Sequence, residues 1–264
     1  MHNNIEEAYQ ALLKIKNISK YGSWTIWGVP SNDEIISQVG LNPAIKKVKS
    51  AFPPTKTLVF NNEWIATSRA RYLNLQNKYM FLGLNCAKRK NLASTDWSMF
   101  HDIELPLNTY KLAFSLNDTN FRGCYITDVL KDTIESSSTI IRNNYKVASK
   151  KKIVNVESNR IYKSSAGVLS KELEAIKPEQ LICFGRPAKQ LLVKMKQDGL
   201  LKNVEGVNHL IDNALVTTHY SSVGGILREE KDVFIEHSKK TTLGAKFEVA
   251  RIIKKRLKND LSIK

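Results

Sequence analysis

Four short apolar runs constrain this chain more than any other feature. They are Tyr79-Met80-Phe81-Leu82-Gly83-Leu84, Gly123-Cys124-Tyr125-Ile126-Thr127, Leu181-Ile182-Cys183-Phe184 and Ala214-Leu215-Val216-Thr217-Thr218. Each is nearly continuous rather than alternating. A strand needs that pattern when both of its faces are covered, as in a parallel sheet flanked by helices. Helical spacing fills the intervals: weakly over 105–116, better over 169–176 and clearly over 188–195. Strands alternating with helices predict an α/β fold, a three-layer α/β/α sandwich with a four-stranded parallel central sheet.

The rest of the chain is arranged around that core. Ile5, Tyr9, Leu12, Leu13 and Ile15 stand at helical spacing behind Asn3 and Asn4, a second helix is expected from near Asp33, and Pro53-Pro54 breaks the chain. Residues 1–60 therefore read as a helical extension packed on a main domain spanning 61–264. No internal repeat is visible. With 264 residues, 42% of them hydrophobic, the chain is long enough to bury a sizeable core.

The net charge is +16. A surplus of that size points to a polyanion, nucleic acid first and an anionic membrane surface second. It concentrates in two places. Residues 142–171 hold eight Lys/Arg against one Glu, including Lys150-Lys151-Lys152, and read either as a solvated loop or as a segment tracking a nucleic-acid backbone. Residues 239–258 hold the same balance, with Leu243, Phe247, Ala250 and Ile253 at helical spacing, as in a terminal helix with a basic outer face.

Other classes fit less well. Cys86, Cys124 and Cys183 are odd in number and far apart, which supports neither a disulfide framework nor a four-cysteine metal site; they read as small core residues in a reducing compartment. The start, His2-Asn3-Asn4 followed by acidic residues, lacks a signal-peptide pattern, and the apolar runs are too short to span a bilayer. A cytoplasmic, nucleoid-associated protein is expected.

In parallel α/β sheets, ligands bind at the carboxyl ends of the strands. The first run ends in Gly83-Leu84-Asn85-Cys86-Ala87, the second in Thr127-Asp128, the third in Gly185-Arg186-Pro187 and the fourth in His219-Tyr220-Ser221-Ser222. In this order the pieces resemble the uracil-DNA glycosylase superfamily over about residues 78–236. Gly83-Leu84-Asn85 is similar to its first motif, Gly-x-Asp/Asn-Pro, with Cys86 in place of the usual proline. His219-Tyr220-Ser221 is similar to its His-Pro-Ser motif, with Tyr220 in place of proline. Tyr125 through Lys131 resembles the base-binding segment that ends in Thr-Asn, and Pro178 through Leu192 the strand and helix between the motifs.

The resemblance implies a metal-free, cofactor-free, monofunctional DNA glycosylase that flips a base and hydrolyses its N-glycosidic bond. A neutral His219 would stabilise the departing base anion, and Asn85 would orient the attacking water without taking its proton. Asp128 stands where Asn reads uracil. As a carboxylate it only accepts hydrogen bonds, which suits a cytosine-like amino group; otherwise it is a helix cap. Ala87 leaves room at C5 where strict uracil enzymes place tyrosine, and Gly83 belongs to the same base pocket. Trp97 and Phe100 lie about where the family keeps a ring that stacks on the flipped base, or else they pack the core. Asp96, His101 and Asp102 are their polar neighbours, with a surface role expected for His101. The loop Ser221, Ser222, Gly224, Gly225, Ile226, Leu227 and Arg228 would grip phosphate and wedge the base stack.

Base-excision repair and defence against base-modified foreign DNA are both open as purposes. Cys86, Tyr220 and Asn85 keep a second possibility alive, a glycosylase fold that binds DNA without cutting it. An enzyme of free nucleosides is a third, disfavoured by the charge and the glycine-rich loop. The four-cysteine spacing of iron–sulfur members is absent.

Overall fold

The computed structural model describes residues 5–40, 45–61, 75–86, 97–117, 119–135, 137–147, 149, 151–217 and 219. By chain contacts the protein divides into two compact units. One comprises Met1–Trp24, Thr67–Met99 and Cys124–Val216; the other comprises Thr25–Ala66, Phe100–Gly123 and Thr217–Lys264. Residues 1–60 are thus shared between the units, and the basic stretch 239–258 lies outside the described residues.

The fold is mixed α/β. Its five-stranded sheet has the order β1(Gly22–Trp24)-β3(Cys124–Ile134)-β2(Gln76–Cys86)-β4(Gln180–Phe184)-β5(Leu215–Thr217). All four apolar runs lie on strands, and β2 pairs in parallel with both β3 and β4. The four-stranded all-parallel sheet expected from the sequence is corrected by β1, which pairs antiparallel with β3 at the sheet edge. Only three residues long, Gly-Ser-Trp carries no periodicity to reveal it. It fits because Gly22 has no side chain: a Cβ there would fall on the Tyr125 hydroxyl.

A second correction concerns β3. Thr127-Asp128 does not end the strand, which continues to Ile134, so Asp128 is not a helix cap. Strand continuation past Asp128 is possible because the buried Lys131 finds partners. Lys131 Nζ lies 2.5 Å from Glu172 Oε2 and 2.7 Å from Thr127 Oγ1, and both ionised side chains are almost fully buried. The Tyr125 hydroxyl donates to Glu172 Oε1 at 2.9 Å. Burial and the neighbouring Glu172 carboxylate push the Tyr125 phenol well above its ordinary pKa.

Glu172 comes from α8(Val156–Ile176). The buried positions Tyr162, Ser165, Ala166, Leu169, Glu172, Leu173 and Ile176 recur at i, i+3, i+4 and form its inner stripe. Each aliphatic side chain in that stripe contributes roughly 1.5–3 kcal/mol by burial. Ser165 Oγ accepts from the Lys131 backbone N–H at 3.0 Å, tying the stripe to β3. Helix α8 also corrects the reading of 142–171 as a loop: from Val156 onward those residues are helical. The start signals are local, with Asn155 Oδ1 accepting from Ser158 N at 2.8 Å and Glu157 in the first turn.

The remaining helices are α1(Ile5–Leu13), α2(Ile18–Tyr21), α3(Asn32–Val39), α4(Ile45–Ala51), α5(Pro54–Thr57), α6(Leu107–Leu116), α7(Ser138–Asn144), α9(Arg186–Gln197) and α10(Val207–Asp212). Those beginning at Ile5, Asn32, Leu107 and Arg186 fall where a helix was expected, and the shorter ones were not marked in the sequence. Gly185, at φ 89°, supplies the left-handed turn from β4 into α9, and Pro187 occupies its first turn. Cys86, Cys124 and Cys183 are buried free thiols, as the composition suggested.

Candidate functional site

The chain path marks a place before any side chain does. From β2 it runs to β3 on one side, then back across to β4 on the other. Connections that leave neighbouring parallel strands in opposite directions open a crevice at their carboxyl ends. Here that point lies between the ends of β2 and β4, with Leu84-Asn85-Cys86 on one lip and the Gly185 turn into α9 on the other.

Gly83 and Asp128 are register partners across β2 and β3, and Asn85 pairs with Leu130. Side chains alternate along a strand, so Tyr125 and Thr127 turn to Glu172 while Asp128 turns to the opposite face. Asp128 is buried, and its partner in register, Gly83, sets no side chain beside it.

Asn85 sits at a register shift between Asn85 and Cys86. Its Nδ2 donates to Glu135 O at 2.7 Å, to Cys86 O at 2.9 Å and, at longer range, to Thr133 O at 3.4 Å. The amide therefore closes the irregular end of the β2–β3 pair, with Glu135 N donating back to Cys86 O at 3.1 Å. An asparagine in that position has its donor end committed and keeps Oδ1 as the end that can accept from water.

His219 follows β5. In sheet order β4 stands between β2 and β5, so Asn85 and His219 are not on neighbouring strands. Burial, reinforced by the positive charge of Lys111, holds the His219 imidazole down at a pKa of about 4. It is therefore neutral at pH 7. The sign has a consequence for stability: between the ordinary value of 6.5 and about 4, the unfolded chain takes up a proton that the folded one refuses. Stability is complete above that window and falls as pH drops through it.

Lys111 was not visible as a site residue in the sequence. It sits in α6, where every residue from Thr109 to Leu116 is buried, and is itself only 2% exposed. A lone lysine in an apolar pattern reads as a solvated edge, so nothing in the sequence marked it. Thr217, two residues before His219, holds a buried hydroxyl with no hydrogen-bond partner among the described residues.

For Trp97 and Phe100 the core-packing alternative fits the burial. Trp97 is buried, with its ring centroid 6.0 Å from that of Tyr9 and 6.3 Å from that of Trp24. Its backbone N–H donates to Ser19 O at 2.7 Å and its carbonyl accepts from Ser23 Oγ at 2.6 Å. That is core packing rather than an open face for a base. Phe100 is buried too, and its carbonyl accepts from Trp27 Nε1 at 3.4 Å. Both residues have positive φ, 60° and 65°, which sequence patterns do not reveal.

His101, expected at the surface, is buried. Its Nδ1 lies 2.9 Å from Leu58 O, its ring stacks on Trp27 at 5.3 Å, and Phe60 meets it edge-on at 5.1 Å. Asp102 Oδ1 accepts from the N–H groups of Glu104 and Leu105 in a local turn.

Lys151 and Lys152 are exposed. Lys150, Ala87, Asp96, Ser221, Ser222, Gly224, Gly225, Ile226, Leu227 and Arg228 lie outside the described residues. No group of three or more His, Cys, Asp or Glu suited to a metal ion occurs among the described residues, and no helix among them is long and apolar enough to cross a membrane. No protein-family model matches the chain, and no curated protein matches it.

Proposed function

We propose that this chain is a monofunctional DNA glycosylase that flips a pyrimidine, uracil or a modified cytosine-like base, and hydrolyses its N-glycosidic bond. The observation that carries the reading is His219: an imidazole at the end of a core strand, kept neutral at pH 7 by burial and by Lys111. Departure of the base breaks the C1′–N bond and leaves the electron pair on the base. A neutral N–H donor and a nearby ammonium both favour that anion, and neither must lose a proton first. Water then adds to C1′ and supplies the proton that the base finally carries. Asn85 would orient that water through Oδ1, its amide being held by backbone carbonyls.

The reading includes a three-layer arrangement with duplex or single-stranded DNA as partner, a nucleoid-associated location, and a purpose in base-excision repair or in defence against base-modified foreign DNA. One observation favours a second reading, DNA binding with little or no cleavage. Asn85 closes a strand end, and Trp97 packs the core, so two of the expected site residues have structural work of their own.

Incubation with oligonucleotides carrying different pyrimidines, followed by mass spectrometry of the released base, separates the two. His219→Ala and Asn85→Ala are expected to cut excision about 100-fold or more, with DNA affinity nearly intact. Thermal melting of Asn85→Ala distinguishes lost chemistry from a loosened strand end. Base release by neither wild type nor variants leaves the binding reading, and unchanged excision by both variants removes the site assignment.

A further inference from the structure

The two most exposed large apolar side chains among the described residues are Val154 and Val156, at 83% and 84%. They flank Asn155 in the stretch that leads into α8, immediately after the exposed Lys151 and Lys152. Exposed valines are unremarkable on a loose loop, but this stretch is held at several points. Ser149 Oγ accepts from Lys151 N at 3.1 Å, Ile153 is buried, and Asn155 caps α8.

The strongest hold comes from below. Lys194, a buried residue of α9, donates from Nζ to the Lys151 carbonyl at 3.1 Å. The same ammonium lies 3.3 Å from Asp198 Oδ2, which also accepts from the Tyr162 hydroxyl at 3.0 Å. A buried charge is thus used to fix the backbone of a surface segment. The nearby acid, Glu157, is gripped by Arg160 through two contacts, at 2.6 and 2.8 Å, so it does not oppose the lysines.

We propose that Lys151–Val156 is a nucleic-acid contact surface in which Lys151 and Lys152 meet phosphates and Val154 and Val156 pack against sugar and base edges. It rests on the DNA-binding half of the reading above, not on base excision. Three features select nucleic acid as the occupant. The chain carries a net charge of +16, which calls for a polyanion. The two lysines stand beside the valines in the chain, presenting cationic and apolar groups together, as contacts to phosphate and to sugar or base require. And the apolar part is a pair of short side chains on a fixed backbone, whereas membrane-surface segments present a long amphipathic helix with large apolar residues.

The test is fluorescence anisotropy with labelled duplex and single-stranded DNA over salt from about 50 to about 200 mM. Val154→Ser/Val156→Ser, which leaves the charge unchanged, is expected to weaken binding roughly ten-fold at every salt concentration with an unchanged salt slope. Lys151→Ala/Lys152→Ala is expected to flatten the slope by about one to two units of log K per log salt. Wild-type affinity in the valine variant at all salts overturns the proposal. So does a wild-type protein that ignores nucleic acid but binds phosphatidylserine vesicles through these valines. If the valine effect is found while no base is released from any substrate, the contact surface stands and only the catalytic reading fails.

Discussion

The two faces of β3 carry polar residues for opposite reasons. On one face, Tyr125, Thr127 and Lys131 converge on Glu172, and each of the polar groups is met within 3.0 Å. On the other, Asp128 stands next to a glycine in register. A buried charge in a strand is not by itself a functional mark. The first face is a closed network in which every member has a neighbour of the right kind, and such networks fix one packing arrangement. On the second face Asp128 is buried and its register partner is a glycine.

The largest expected effect breaks the closed face. Glu172→Ala leaves the Lys131 ammonium buried without its carboxylate, and a loss of about 3–5 kcal/mol is expected in denaturant unfolding. Lys131→Met/Glu172→Leu should recover most of it, because the charges are then removed together. A double variant no better than Glu172→Ala would show that the network does more than balance charge.

Next in size is Gly22→Ala. The new methyl must displace the Tyr125 ring from its bond to Glu172, and about 1–3 kcal/mol is expected, read as a lowered melting temperature. Adding Tyr125→Phe would not relieve the clash, since the ring atoms are also in the way. If it does restore stability, the hydroxyl alone makes the fit.

The smallest effect on stability, and the sharpest on the proposed function, is expected at the Asp128 face. Asp128→Asn keeps the shape and should change the melting temperature little. It gains a donor for a uracil O4 and loses an acceptor for an exocyclic amino group. Excision should shift toward uracil and away from amino-bearing pyrimidines, measured on matched substrates. A variant with the wild-type preference would assign Asp128 to the interior rather than to base reading.

The sequence made the central strands legible because continuous apolar runs have few alternatives. It was silent about β1, whose three residues are specified by a gap for Tyr125 and not by any pattern of their own. It ended β3 too early, since Asp128, Lys131 and Asp132 look like a strand terminus unless Glu172, some forty residues later, is known to pair with Lys131. The first half of α8 was hidden for a related reason: charges dominate its exposed face, and the cap at Asn155 was the only local signal. Among the candidate residues, Asn85 lies near the end of β2 as its place in the sequence suggested, whereas Asp128 lies inside β3. The burial of Lys111, His101 and Trp97 was not legible, because it depends on which elements close over them.

One further feature sets how the protein behaves toward reagents. All three cysteines are buried thiols, and burial pushes Cys183, in the middle of β4, up to a pKa of about 12. The thiolate is the reactive form, so at neutral pH the folded chain withholds its sulfur from alkylating agents and mild oxidants. Consumption of a thiol reagent by Cys183 then counts the occasions on which the sheet parts, and its rate is a clock for opening events that leave no trace in the average structure.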